Sequence, residues 1–91
     1  MIEAASRVRL APKARLQRDR VTGRAFLLYP ERGLDLSESA ARIVALCQGD
    51  RTVAAIVDEL AAASGEPRER IETEVIDFLR ALEARGLLVV A

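Results

Sequence analysis

Hydrophobic positions change their period about one third of the way along the chain. Over residues 7–29 they come in short runs of strand length, and from Ser37 onward they recur at i, i+3, i+4 and i+7. Arg7-Val8-Arg9-Leu10 alternates and is ended by Pro12. Arg15 to Val21 alternates charged and apolar residues loosely, Thr22-Gly23 supplies a turn, and Arg24-Ala25-Phe26-Leu27-Leu28-Tyr29 follows, apolar on both faces, until Pro30 stops it. Two strands about a Gly-containing turn predict a β-hairpin, with 7–10 as a third, weaker strand.

Three helices are predicted next. Ser37, Glu38 and Ser39 open the first, whose stripe is Ala40, Ile43, Val44 and Cys47, and Gly49 ends it. Thr52 caps the second, with Val53, Ile56, Val57 and Leu60 on its inner face and Gly65 closing it. Pro67 stands near the start of the third, where Ile71, Val75, Phe78, Leu79 and Leu82 line one face up to Gly86. Leu87-Leu88-Val89-Val90 is a β-prone tail expected to return to the core or to a sheet edge. No repeat, low-complexity run or linker interrupts the pattern, so the expectation is one α+β domain over residues 1–91, with 1–6 as a flexible start. The helix–corner–helix pattern about Gly49-Asp50-Arg51-Thr52, the longer third helix and the adjoining hairpin resemble a winged helix-turn-helix.

Composition narrows the chemistry. The 91 residues include no His, no Trp and one Cys. A Ser-His-Asp triad and a His metal ligand are therefore excluded, and a lone Cys can hold neither a structural zinc, nor an iron–sulfur cluster, nor an internal disulfide. The expectation is a protein that is not an enzyme and takes no cofactor. Cys47, on the apolar stripe of its helix, reads as a buried thiol. Glu31 and Asp35, beside a Pro turn and a helix start, read as turn and capping groups rather than an acid–base pair. Neither a signal-peptide apolar core nor a run of about 18 apolar residues is present, so no membrane partner is expected and the cytoplasm is the expected location.

Net charge is zero but unevenly spread: residues 1–32 hold eight basic residues against three acids, and residues 33–91 hold six against eleven. Arg15, Arg18, Arg20 and Arg24 either steer an anionic peptide or acidic enzyme surface, or form a solvated face that complements the acidic remainder. From Glu66 to Arg85 the third helix carries six acids, four arginines and no Asn or Gln. A helix entering the major groove beside phosphates needs the opposite balance, so nucleic acid is not an expected partner.

Three segments carry a family likeness: Leu27-Leu28-Tyr29-Pro30-Glu31-Arg32, then Leu34-Asp35-Leu36-Ser37-Glu38-Ser39-Ala40-Ala41, then Leu46-Cys47-Gln48-Gly49. With Thr52-Val53-x-x-Ile56-Val57-x-x-Leu60 and Leu82-x-x-x-Gly86-Leu87-Leu88, this ordered set resembles the pyrroloquinoline quinone biosynthesis protein D family over roughly residues 7–90. Gln48 stands where the family pattern has Asp. The resemblance implies a peptide chaperone built as an amino-terminal three-stranded antiparallel sheet packed on a three-helix bundle. It would bind the precursor peptide PqqA by strand addition and present it to the radical S-adenosylmethionine enzyme PqqE, which cross-links a Glu and a Tyr of that peptide.

The same resemblance places the peptide as an edge strand beside the third strand and against the third helix. On this sequence the candidate peptide-binding residues are Arg24, Ala25, Phe26, Leu27, Leu28 and Tyr29, with Ile76, Leu79, Arg80 and Glu83. Two apolar faces on strand 24–29 fit either one core face and one binding face, or a buried central strand. Ile76, off the main arc of its helix, either lines the groove or meets the Leu87–Val90 tail. A winged-helix DNA-binding regulator is the alternative reading, and a free sheet edge could instead pair two copies into a homodimer.

Overall fold

The computed structural model describes residues 2–30 and 32–91. In chain order its elements are β1 (Arg7–Leu10), β2 (Arg15–Arg18), β3 (Ala25–Tyr29), β4 (Arg32–Leu36), α1 (Glu38–Ala45), β5 (Gln48–Thr52), α2 (Val53–Ser64), α3 (Arg68–Ala84) and β6 (Leu88–Val90). They form two antiparallel three-stranded sheets, ordered β2-β3-β4 and β5-β1-β6. The α+β class and the three helices agree with the sequence reading, but the makeup of the sheets does not.

The hairpin forms where expected, and it is shorter. Strand β2 ends at Arg18 instead of Val21, because the Asp19 carboxylate accepts the backbone N–H groups of Val21 and Thr22 at 2.7 and 3.2 Å. These two bonds draw the chain into the turn and hold the Asp19 carboxyl below its ordinary pKa. A further difference is β4. Arg32–Leu36, expected as a turn and helix start, alternates after all: Leu34 and Leu36 are half-buried while Gly33 and Asp35 are exposed. It pairs with β3 from Tyr29↔Arg32 to Ala25↔Leu36, and so takes the third place that β1 was expected to fill.

Strand β1 belongs to the other sheet. Val8 pairs with Val90 and Leu10 with Leu88, so the carboxy-terminal tail does return to a sheet edge. On its other side β1 meets β5, the stretch expected to be a tight corner between helices. Gly49 has φ +85 there, and the register shifts between Arg7 and Arg9, opposite it. A side chain at Gly49 would be strained in that conformation, which only glycine adopts freely.

Helix punctuation follows the sequence at Ser37, Thr52 and Gly65, but α1 ends at Ala45 rather than at Gly49, which lies in β5. Ser37 Oγ accepts from the Ala40 N–H at 3.1 Å, and Thr52 Oγ1 accepts from the Ala55 N–H at the same distance. Gly65 closes α2 in the left-handed conformation, with φ +71. Arg68, at the start of α3, bonds Asp58 of α2 at 2.6 Å. Because both side chains are largely solvated, this pair adds little to stability.

One core joins the layers. Val8, Leu27, Val44, Val53, Ile56, Val57, Val75, Leu79, Leu82, Leu87 and Leu88 are all buried in it. Ile2 is buried too, and the backbone carbonyls of Ala4 and Ser6 accept from Ala54 and Val53 at 2.9 and 2.8 Å. Ile2, Ala4 and Ser6 are thus held to the body of the fold by burial and backbone hydrogen bonds, while Glu3, Ala4 and Ala5 are exposed; Met1 lies outside the described residues. An Ile2→Ala variant is expected to lose about 2–5 kcal/mol of unfolding free energy, read from a urea melt. Cys47 is buried with its thiol on the Ile43 carbonyl at 3.2 Å, and desolvation pushes its pKa up to about 12. It should resist alkylation at pH 8 in the native protein and react once denaturant is added, as mass spectrometry would show.

Candidate functional site

Strand addition needs unpaired backbone groups, so the first question is which strand has a free edge. Strand β3 has none. Its residues pair with β2 from Arg18↔Ala25 to Arg15↔Leu28 on one side and with β4 on the other. The expectation of a peptide adding beside residues 24–29 is thereby corrected: β3 is the central strand, and the edges of this sheet are β2 and β4. The misreading arose because Pro30 and Gly33 mask the alternation of the strand that follows.

Side chains of β3 divide between two faces. Ala25 and Leu27 point into the core and are essentially inaccessible, while Tyr29 is half-buried on that same face. Phe26, half-buried, and Leu28, exposed, stand on the opposite, outer face. Arg24 precedes the strand and sits 3.6 Å from Asp35 at the surface.

On α3 the four candidates also separate. Leu79 is fully buried and forms part of the core. Arg80 is exposed, and its Nη2 reaches the Ile2 carbonyl at 3.4 Å. That contact turns its flank, shared by helical spacing with Ile76 and Glu83, toward the amino-terminal segment. The opposite flank is the one that faces β4. Arg32, at the start of β4, shares a cleft with Tyr29 and with Arg85 at the end of α3. Ser39 and Arg42, just past the other end of β4, share a second cleft with Ile71, Glu74 and Val75 of α3.

The two clefts thus place the start of β4 at Arg32 near Arg85 at the end of α3, and the start of α1, which follows β4, near Glu74 and Val75 of α3. Phe78 and Ala81 lie between the two clefts on the same helical face. At about 100° per residue this face is about 180° around α3 from Ile76, Arg80 and Glu83. Ile43, Leu60, Ile71 and Val75 give the α1 end an apolar lining, and Arg42, Glu66 and Glu74 line it with charge.

An ion pair ties the β2 edge of the sheet to the start of α1. Arg18 of β2 bonds Glu38, in the first turn of α1, at 2.8 Å. This bond holds the Glu38 carboxyl below the ordinary carboxylate range and raises the Arg18 guanidinium. Among the described residues no group of three potential metal ligands occurs, and no helix is long and apolar enough to cross a membrane. The arrangement offers backbone donors and acceptors beside an apolar, charge-lined groove, which suits an extended peptide. The alternation of Leu34 and Leu36 with Gly33 and Asp35 was the sequence signal for its edge strand.

Comparison with known proteins identifies the family and the fold. The chain is 39% identical over 90 residues to a PqqA binding protein of Bradyrhizobium diazoefficiens, covering 99% of this chain and 87% of that protein. It is 34% identical over 88 residues to a PqqA binding protein of Rhizobium meliloti, covering 97% and 90%. Its fold matches the solution structure of the PqqD portion of Methylobacterium extorquens PqqCD, a stand-alone recognition element for ribosomally synthesized and post-translationally modified peptides. That match has a TM-score of 0.83 at 28% identity, covering 98% of this chain and 95% of that one. TbiB1, solved in complex with the TbiA(beta) leader peptide, shares the fold with a TM-score of 0.74 at 24% identity, over 88% of this chain and 93% of that one. The family model for coenzyme PQQ synthesis protein D (PqqD) matches residues 24–88, well over half of the sequence, and the chain belongs to that family.

Proposed function

We propose that this protein is a peptide chaperone, not a catalyst, that binds the precursor peptide PqqA and presents it to the radical S-adenosylmethionine enzyme PqqE in the cytoplasm. The observation that carries the reading is the free edge of β4, whose first residue Arg32 shares a cleft with Arg85 of α3, with a second cleft between α1 and α3 beyond its other end. The PqqA binding proteins to which the chain is similar support the choice of peptide.

Strand addition uses the outer edge of β4. Every second residue of an antiparallel edge strand turns its N–H and C=O outward, so five residues offer about four hydrogen bonds. At about 0.5–1.5 kcal/mol each they contribute about 2–6 kcal/mol, short of the roughly 8 kcal/mol of micromolar binding. Peptide side chains in the groove supply the difference. The contacts proposed are Tyr29, Arg32, Leu34 and Leu36 on the sheet, with Ile71, Glu74, Phe78 and Arg85 on α3. Ile76, Arg80 and Glu83 have no part in this placement.

The rival winged-helix DNA-binding reading is not favoured. Its recognition helix would be α3, whose exposed arginines Arg68 and Arg70 are already engaged by Asp58, Glu66, Glu72 and Glu74. Cations held by carboxylates are poor phosphate ligands.

An amide-resolved NMR titration with synthetic PqqA tests the placement. Saturable shifts are expected on residues 32–36 and on the Glu74–Phe78–Arg85 face of α3. Shifts confined to Ile76, Arg80 and Glu83 or to β5 would overturn it. An Asp35→Pro variant is expected to weaken binding by about tenfold or more while its circular dichroism melt stays cooperative. Raising salt from about 50 to about 200 mM should change the affinity by less than about fivefold, far below the loss expected of a DNA complex.

A further inference from the structure

Helix α1 packs against all three strands of the β2-β3-β4 sheet, and the register shows what the sheet's other face carries. Arg15, Leu28 and Gly33 form one row across it, and Gln17, Phe26 and Asp35 form the next. A solvated face of an antiparallel sheet is expected to be polar. Here its central strand instead presents Phe26 and Leu28, and Leu28 is 38% exposed. Gly33 leaves the Phe26 ring open on one side, since even a methyl group there would stand 3.7 Å from Cδ2. A cleft lined by Pro12, Lys13, Arg15, Leu28, Tyr29 and Pro30 adjoins this apolar centre.

Charge says what covers it. Lys13, Arg15 and Arg20 all belong to β2 or its flanking turns. The two nearby described acids are already engaged, Asp19 by backbone N–H groups and Asp35 by Arg24. An apolar centre inside a basic rim complements an apolar contact ringed by carboxylates.

We propose that the outer face of the β2-β3-β4 sheet, centred on Phe26 and Leu28 and rimmed by Lys13 and Arg15, docks an acidic surface of the peptide-modifying enzyme. This rests on the delivery reading above, because a protein that presents a peptide must hold peptide and enzyme at once, on separate surfaces. Here the peptide occupies the β4–α3 groove, and the face that bears Phe26 and Leu28 stays free.

The test measures two affinities, for synthetic PqqA and for PqqE, in the full-length chain. The variants are Leu28→Glu, Arg15→Glu and, as a control of equal charge change on the other sheet, Arg9→Glu. Leu28→Glu and Arg15→Glu are each expected to weaken enzyme binding by about tenfold or more and to leave peptide affinity within about twofold. Arg9→Glu should alter enzyme binding by less than about threefold. Unchanged enzyme binding in both face variants, or equal losses in Arg9→Glu and Arg15→Glu, overturns the docking face while delivery stands. Wild-type protein that binds PqqA but not PqqE overturns delivery and the docking face together. Sedimentation of the wild type as a dimer that Leu28→Glu dissociates would assign the face to a second copy and overturn the proposal. Arg15→Glu keeps the test decisive should Leu28→Glu not fold.

Discussion

The pairing of β1 with both β5 and β6 is the constraint on which the rest depends. It joins residues from the start, middle and end of the chain into one sheet and fills both edges of β1. Having two partners already, β1 cannot complete the sheet of the β2–β3 hairpin. That place falls to β4, and the assignment makes β4 an edge. A different partner for β1 would leave the β2-β3-β4 sheet with a different edge at the same local structure.

The α3 helix is oriented by that same sheet. Strand β6 follows it after a short turn and is held by β1, while Arg80 reaches the main chain of the buried Ile2 segment. These contacts fix one flank of α3 toward the amino terminus, and the opposite flank is left facing β4. Core residues Ile71, Val75, Leu79 and Leu82 lie between the two flanks and make the helix a rigid wall. The groove is thus bounded by elements that the core already holds, so binding an extended peptide need not order much of the protein itself.

Electrostatic organisation follows the layers. Basic residues cluster on the hairpin and acids on the helices, and Arg18 and Glu38 bridge the two at the start of α1. Separation of charge within a neutral chain gives its faces different electrostatic potentials, which net charge alone conceals.

How much was legible in the sequence differs by level. The three helices, their caps at Ser37 and Thr52, the closing Gly65, the hairpin and the burial of Cys47 could all be read from the residues. Each depends on neighbours within a turn or two, so local periodicity and side-chain chemistry suffice. Strand β5 gave no signal, since Gln48-Gly49-Asp50-Arg51-Thr52 is polar throughout and becomes a strand only because β1 lies beside it. Strand β4 gave a signal in Leu34 and Leu36 that Pro30 and Gly33 obscured. Which strand is an edge, and which flank of α3 meets it, were decided by tertiary structure alone. A strand's pattern records which face is buried, but not which neighbour takes its hydrogen bonds, and that choice is made between residues far apart in the chain.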